Sequence, residues 1–221
     1  MKKIALILLT LLPLGCNTTT PTPAHTEQPT PATSQPTNQP FDYYLLNLSW
    51  SPEFCATHAN APECAQHLGF VLHGLWPQNN NQTKRGPYLE NCSTDPGPTD
   101  PSKYKDIYPD PGLLRHEWKT HGTCSGLAPD AFFTLARTAF HSLAIPTTLT
   151  QLTQQISMPP AQIIGLFQTA NPHYPAASFA LSCGNNYLTA IEVCLTKQLQ
   201  PTDCGSIRSC RANTVRIPPP Q

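Results

Sequence analysis

Apolar and polar positions divide the chain into three stretches. Residues 4–14 are almost wholly apolar and follow the positive head Met1-Lys2-Lys3. That run is short for a mature membrane-spanning helix and reads as a signal peptide over residues 1–15. Residues 17–40, NTTTPTPAHTEQPTPATSQPTNQP, hold no aromatic and no large aliphatic side chain. Nothing there offsets the entropy of ordering, so residues 16–40 are expected to form a disordered Thr/Pro-rich tether. Apolar clusters resume at Phe41, and the folded domain is expected to span 41–221.

Within that domain, FDYYLLNLSW (41–50) reads as a buried strand. GFVLHGLWP (69–77) is a second apolar run, broken by Gly74 and stopped by Pro77. Residues 78–111 are rich in Pro, Gly, Asn and Asp and predict a long loop. Gly112 to His121 predicts a helix, with Gly122 as its stop signal. In residues 129–143, Phe132, Phe133, Leu135, Ala136, Ala139 and Phe140 make one wide apolar stripe, a clear amphipathic helix. Another is expected over 159–170, opened by prolines. Strand-like runs follow at 178–183 and 187–196, and GSIRSC (205–210) is a candidate to pair with them. Strands at both ends with helices between predict an α+β domain, a central antiparallel sheet packed with helices.

Charge narrows the function classes. From Phe41 onward there are 11 Lys and Arg (the chain's 13 less Lys2 and Lys3) against 12 Asp and Glu (13 less Glu27). A near-neutral domain offers no broad basic face to a polyanion, so any action on nucleic acid must rest on a local site. The nine cysteines include Cys16, in Leu14-Gly15-Cys16. This triplet resembles a bacterial lipoprotein cleavage box with Cys16 as the lipidated residue, although Pro13 stands where that box usually has Leu. A plain secretory signal with an incidental cysteine is the alternative. The other eight cysteines, an even number in an exported chain, argue for four disulfides, whose pairing spacing alone does not choose. Without a CxxC pair, structural zinc is the weaker use.

The densest chemistry lies in HEWKTHGTC (116–124). A zinc protease carries its two helix histidines four apart; here they are five apart, about 140° round an unbroken helix. Ordinary polar residues at a helix end are the bland reading. A further histidine, His73, sits beside Gly74 in the apolar run, where a core role competes with a cleft-facing one. Two imidazoles that divide proton removal and donation, steadied by a carboxyl group and a cation, suit phosphoryl transfer without metal.

Together, HGLWP (73–77) and HEWKTHGTC resemble the two active-site blocks of the ribonuclease T2 family of secreted and periplasmic endoribonucleases. The resemblance extends over most of residues 41–212 and leaves the IPPPQ tail outside. It implies an α+β fold and metal-free cleavage of single-stranded RNA, with low base specificity, through a 2′,3′-cyclic phosphate. By position, His121 is the base, His73 the acid, His116 a phosphate holder and Glu117 an organiser of the pentacoordinate state. No cofactor and no metal are implied, and DNA, lacking the 2′-hydroxyl, is excluded as substrate. One departure is Thr120, where the family usually has Lys; Lys119, one place earlier, and Arg115 are auxiliary candidates. The family also implies the bridges Cys55–Cys64, Cys92–Cys124, Cys183–Cys210 and Cys194–Cys204. Trp76, Gln78 and Tyr88 are candidate base-binding residues, with Asn79 beside them, while Trp50 and Trp118 suit the core. The resulting expectation is a monomeric, exported enzyme of the periplasm or cell surface, held to the membrane only through a lipid on Cys16. The rivals are a catalytically impaired RNA binder on the same scaffold, for which Thr120 speaks, and a metal-dependent hydrolase.

Overall fold

Alternate side chains of the segment Tyr43–Trp50 serve two different surfaces. Tyr44, Leu46, Leu48 and Trp50 enter the main core, whereas Tyr43 and Leu45 join a smaller cluster with Ala180, Cys194 and Cys204. This period of two makes the segment a strand with both faces covered, which is why it reads as one long apolar run. The computed structural model describes residues 41–80, 89–205 and 207–220. The signal peptide, Cys16, the tether and Tyr88 lie outside these residues.

In chain order the elements are β1 (Tyr43–Trp50), α1 (Ser51–Thr57), β2 (Phe70–Gln78), α2 (Pro111–Thr120), α3 (Pro129–Ser142), α4 (Thr147–Thr150), β3 (Ile156–Met158), α5 (Pro160–Ala170), β4 (Phe179–Gly184), β5 (Tyr187–Leu195) and β6 (Val215–Ile217). They form one sheet in the order β2-β1-β5-β6-β3, with β4 also on β5. Phe132, Phe133 and Ala136 of α3 and Ile163 and Phe167 of α5 are fully buried in the main core. Each fully buried Phe contributes about 1.5–3 kcal/mol. Among the described residues no helix is long and apolar enough to cross a membrane.

The sheet departs from the sequence reading in three places. It is mixed rather than wholly antiparallel, because β6 meets β5 in parallel at Tyr187 and Arg216. The Cys183–Cys210 bridge ties the chain ahead of β6 to the β4–β5 turn, so β5 and β6 both start there and run the same way. GSIRSC does not supply that strand. The cysteines that bound it are held to β5 and β4, and Cys210 donates its N–H to Leu181 O at 2.6 Å. The added strand comes instead from the C-terminal tail, where Pro218 O accepts the indole N–H of Trp50 at 3.0 Å. Finally, Pro77 does not stop β2, which runs on to Gln78. β2 is the outer strand, where a missing N–H is tolerated.

Four disulfides, Cys55–Cys64, Cys92–Cys124, Cys183–Cys210 and Cys194–Cys204, staple the loops to these elements. Each restricts the unfolded chain, typically by about 2–4 kcal/mol.

Candidate active site

A bulge in β2 gathers His73, Gly74 and Trp76 on one face of the strand. Leu48 pairs with Leu72 and Asn47 with Gly74, so His73 is the extra residue between two paired positions. Leu72 and Leu75 both point into the core. Alternation from Leu72 puts His73 on the opposite face, and the bulge keeps Gly74 and Trp76 on that face too while Leu75 returns to the core. There Ser49 Oγ lies 3.0 Å from His73 Nδ1.

The second block approaches from α2. Asp110 caps this helix, its carboxylate accepting the N–H of Gly112 at 2.7 Å, and Pro111 follows at the first position. Glu117 and Trp118 face inward. Trp118 is 2 % exposed, donates its N–H to Asp95 O at 2.9 Å and packs on Phe132, a core anchor for the helix. The helix ends at Thr120, and His121 is already outside it, at φ −116° and ψ −45°. The ideal-helix angle between His116 and His121 therefore does not apply, and their ring centroids are 6.4 Å apart. Gly122 is not a left-handed stop. A Cβ there would come within 2.5 Å of Trp118 Cε3 and 3.0 Å of Phe132 Cε1, so close packing demands glycine.

The two blocks meet at Glu117. Trp76 donates its indole N–H to Glu117 Oε2 at 2.7 Å, and Glu117 Oε1 lies 3.5 Å from His73 Nε2. The Trp76 ring lies 5.4 Å from that of His73 and 4.9 Å from that of His121. Glu117 is 1 % exposed, and burial pushes its carboxyl up to about 8, against the smaller pull of the Trp76 N–H. Burial also lowers His73, with the charge of His116 adding to it. His121 falls to about 4, through burial first and then through His116 and His73. Burial thus disfavours charge on both His73 and Glu117. Glu117 Oε1 and His121 Nδ1 are buried without a hydrogen-bond partner among the described residues. Such atoms are costly in a stable fold and are suited to a ligand that satisfies them.

A cleft opens beside this cluster, lined by His73, His116, Ser49, Phe54, Glu63 and Leu113 among others. Of the remaining candidates, Lys119 and Arg115 are exposed on α2, and Thr120 is half-buried. Trp76 is half-buried inside the cluster. Gln78 is 6 % exposed at the end of β2, where its carbonyl accepts the Asp42 N–H at 2.8 Å, and Asn79 follows it half-buried. Trp50 is fully buried in the core. Among the described residues, no group of three or more His, Cys, Asp or Glu side chains is placed to hold a metal ion. Ser49 escaped the sequence reading. Its signal was its place among the polar positions 47 and 49 of an otherwise apolar strand.

Residues 41–204 match the sequence model of the Ribonuclease T2 family. A ribonuclease of Aeromonas hydrophila is 48 % identical over 98 residues, which cover 43 % of each chain. A probable ribonuclease of Haemophilus influenzae is 29 % identical over 183 residues, covering 76 % of this chain and 62 % of that one. The chain thus spans less than two-thirds of the length of these two relatives. The solved RNase-related protein from Calystegia sepium shares the fold, with a TM-score of 0.66, 22 % identity, and coverage of 82 % of this chain and 98 % of that one.

Proposed function

The chain belongs to the ribonuclease T2 family, and from that membership and the geometry of its site we propose that it is an endoribonuclease that cleaves single-stranded RNA by transesterification. The observation that carries this reading is the convergence of His73, His121 and the buried Glu117 around Trp76. Two imidazoles able to exchange protons and a carboxyl donor, gathered round one indole beside the cleft, are what an in-line displacement at phosphorus needs.

In the first step the 2′-oxygen of the substrate bonds to the adjacent phosphorus and the bond from phosphorus to the 5′-oxygen breaks. His121, neutral because its proton affinity is depressed, takes the 2′-hydroxyl proton. His73 gives a proton from Nε2 to the departing 5′-oxygen. An arriving phosphate anion favours the charged form of His73 and so loads the acid. Glu117, kept protonated by burial, donates a hydrogen bond to a phosphate oxygen as charge gathers there. His116, exposed at the cleft mouth, holds the phosphate. The products are a 2′,3′-cyclic phosphate and a 5′-hydroxyl, and water opens the cyclic ester afterwards. The nucleophile belongs to the substrate, so DNA is inert. Trp76 is a stacking surface for a base as well as the partner of Glu117.

Residues 1–15 direct export, Cys16 carries the lipid, and residues 16–40 hold the catalytic domain away from the membrane. Four disulfides fit an oxidising compartment. The test of the reading is an RNA oligonucleotide with one 2′-deoxy residue. Cleavage is expected at every ribose step and absent at the substituted one; equal cleavage there overturns it.

A further inference from the structure

The hydrogen bond between Ser49 Oγ and His73 Nδ1, 3.0 Å long, joins adjacent strands. Ser49 pairs with Val71, and His73, two residues on, lies on the same face of the sheet. Asn47, the other polar residue on that face of β1, is engaged elsewhere, donating to Glu192 Oε1 at 3.3 Å. A hydroxyl can meet a ring nitrogen as donor or as acceptor, and the choice decides which nitrogen does the chemistry. If the hydroxyl donates, the neutral ring keeps its proton on Nε2, and Nε2 cannot cycle between gaining and losing one. If Nδ1–H donates to Oγ, Nε2 becomes the nitrogen that titrates, and it is Nε2 that lies 3.5 Å from Glu117. Ser49 also lines the cleft, which leaves its hydroxyl hydrogen a way out to solvent.

We infer that Ser49 is a positioning residue: its Oγ accepts the Nδ1–H of His73, fixes the ring and assigns the transferable proton to Nε2. The inference rests on the reading of His73 as the acid. Ser49 acts through His73 and touches no reacting atom. At metal-bound histidines a partner that sets the tautomer is typically worth about 10- to 100-fold, and an effect of similar size is expected here.

The test combines ¹⁵N chemical shifts of the His73 ring in the free protein with steady-state cleavage of a short RNA by wild type, Ser49→Ala and Ser49→Thr. In wild type the neutral ring is expected to show a protonated Nδ1. Ser49→Ala should move the ring toward the Nε2–H form and lower kcat by roughly 10- to 100-fold, with little change in KM. Ser49→Thr, which keeps the hydroxyl on a residue suited to a strand, should restore the wild-type shifts and most of kcat. A wild-type ring protonated on Nε2 would overturn the inference. So would a raised KM with unchanged kcat in Ser49→Ala, which would put the hydroxyl on the substrate instead. A wild type inert toward RNA would overturn the functional reading itself, whereas an active wild type equalled by Ser49→Ala would remove only the role of Ser49.

Discussion

The hydrogen bond from Trp76 Nε1 to Glu117 Oε2, 2.7 Å long, passes directly over Gly74. A Cβ at position 74 would collide with both partners of that bond. The glycine between the first histidine and the tryptophan is therefore a matter of space. It lets an indole from a strand meet a carboxyl group from a helix, and that contact joins the two halves of the site.

Gly74→Ala should push the indole and the carboxyl group apart. Overpacking of this kind costs about 1–3 kcal/mol. Thermal melting should show the loss of stability, and cleavage of a short RNA should fall at least roughly tenfold as a preorganised donor is displaced. Wild-type activity would mean that the bond is dispensable.

The pH dependence of kcat/KM follows from the two histidines. The base must be neutral, so the rate rises with pH as His121 loses its proton near 4. The acid must be charged, so the rate falls as pH climbs through the value for His73, which lies below the ordinary 6.5. A bell-shaped profile with its maximum on the acid side of neutrality is expected. A maximum above pH 7 would contradict these assignments.

Glu117 makes a separate prediction about stability. Its folded-state value, about 8, is above the ordinary 4.5, so its contribution is fully present below 4.5 and is lost as pH rises to about 8. Glu117→Gln removes that titration. Chemical denaturation should show the variant gaining on wild type across this window, by up to a few kcal/mol. Cleavage should be largely retained, because the amide keeps a hydrogen-bond donor for the phosphate oxygen. Parallel stability curves for the two proteins from pH 4.5 to 8 would show that the carboxyl group is not held neutral.

His73→Ala and His121→Ala should each reduce kcat by about 10²–10⁴-fold. Circular dichroism should remain native, since neither ring belongs to the main core. Normal turnover in either variant would remove its assigned role.

Much of this architecture is readable in the sequence wherever one element carries its own period. β1 announces itself through an unbroken apolar run, and α3 and α5 through apolar positions three and four apart. What resists reading depends on a partner strand. That Trp76 shares a face with His73 is set by the register of β2 against β1, and no local pattern encodes a bulge. β6 is only three residues long, and the Cys183–Cys210 bridge just ahead of it ties it to the β4–β5 turn. The site divides in the same way. The histidines and Glu117 sit in two recognisable blocks, whereas Ser49 becomes visible only once the strands are aligned. The break after Thr120 is likewise tertiary, since Gly122 answers to Trp118 and Phe132 rather than to a backbone preference.

The most direct test is to incubate the purified protein with a short RNA in excess EDTA and to identify the new ends by mass spectrometry. Fragments bearing a 2′,3′-cyclic phosphate and a 5′-hydroxyl are predicted, at the rate seen without chelator. Intact RNA, loss of cleavage in EDTA, or fragments with 5′-phosphate ends would contradict proton transfer by the histidine pair.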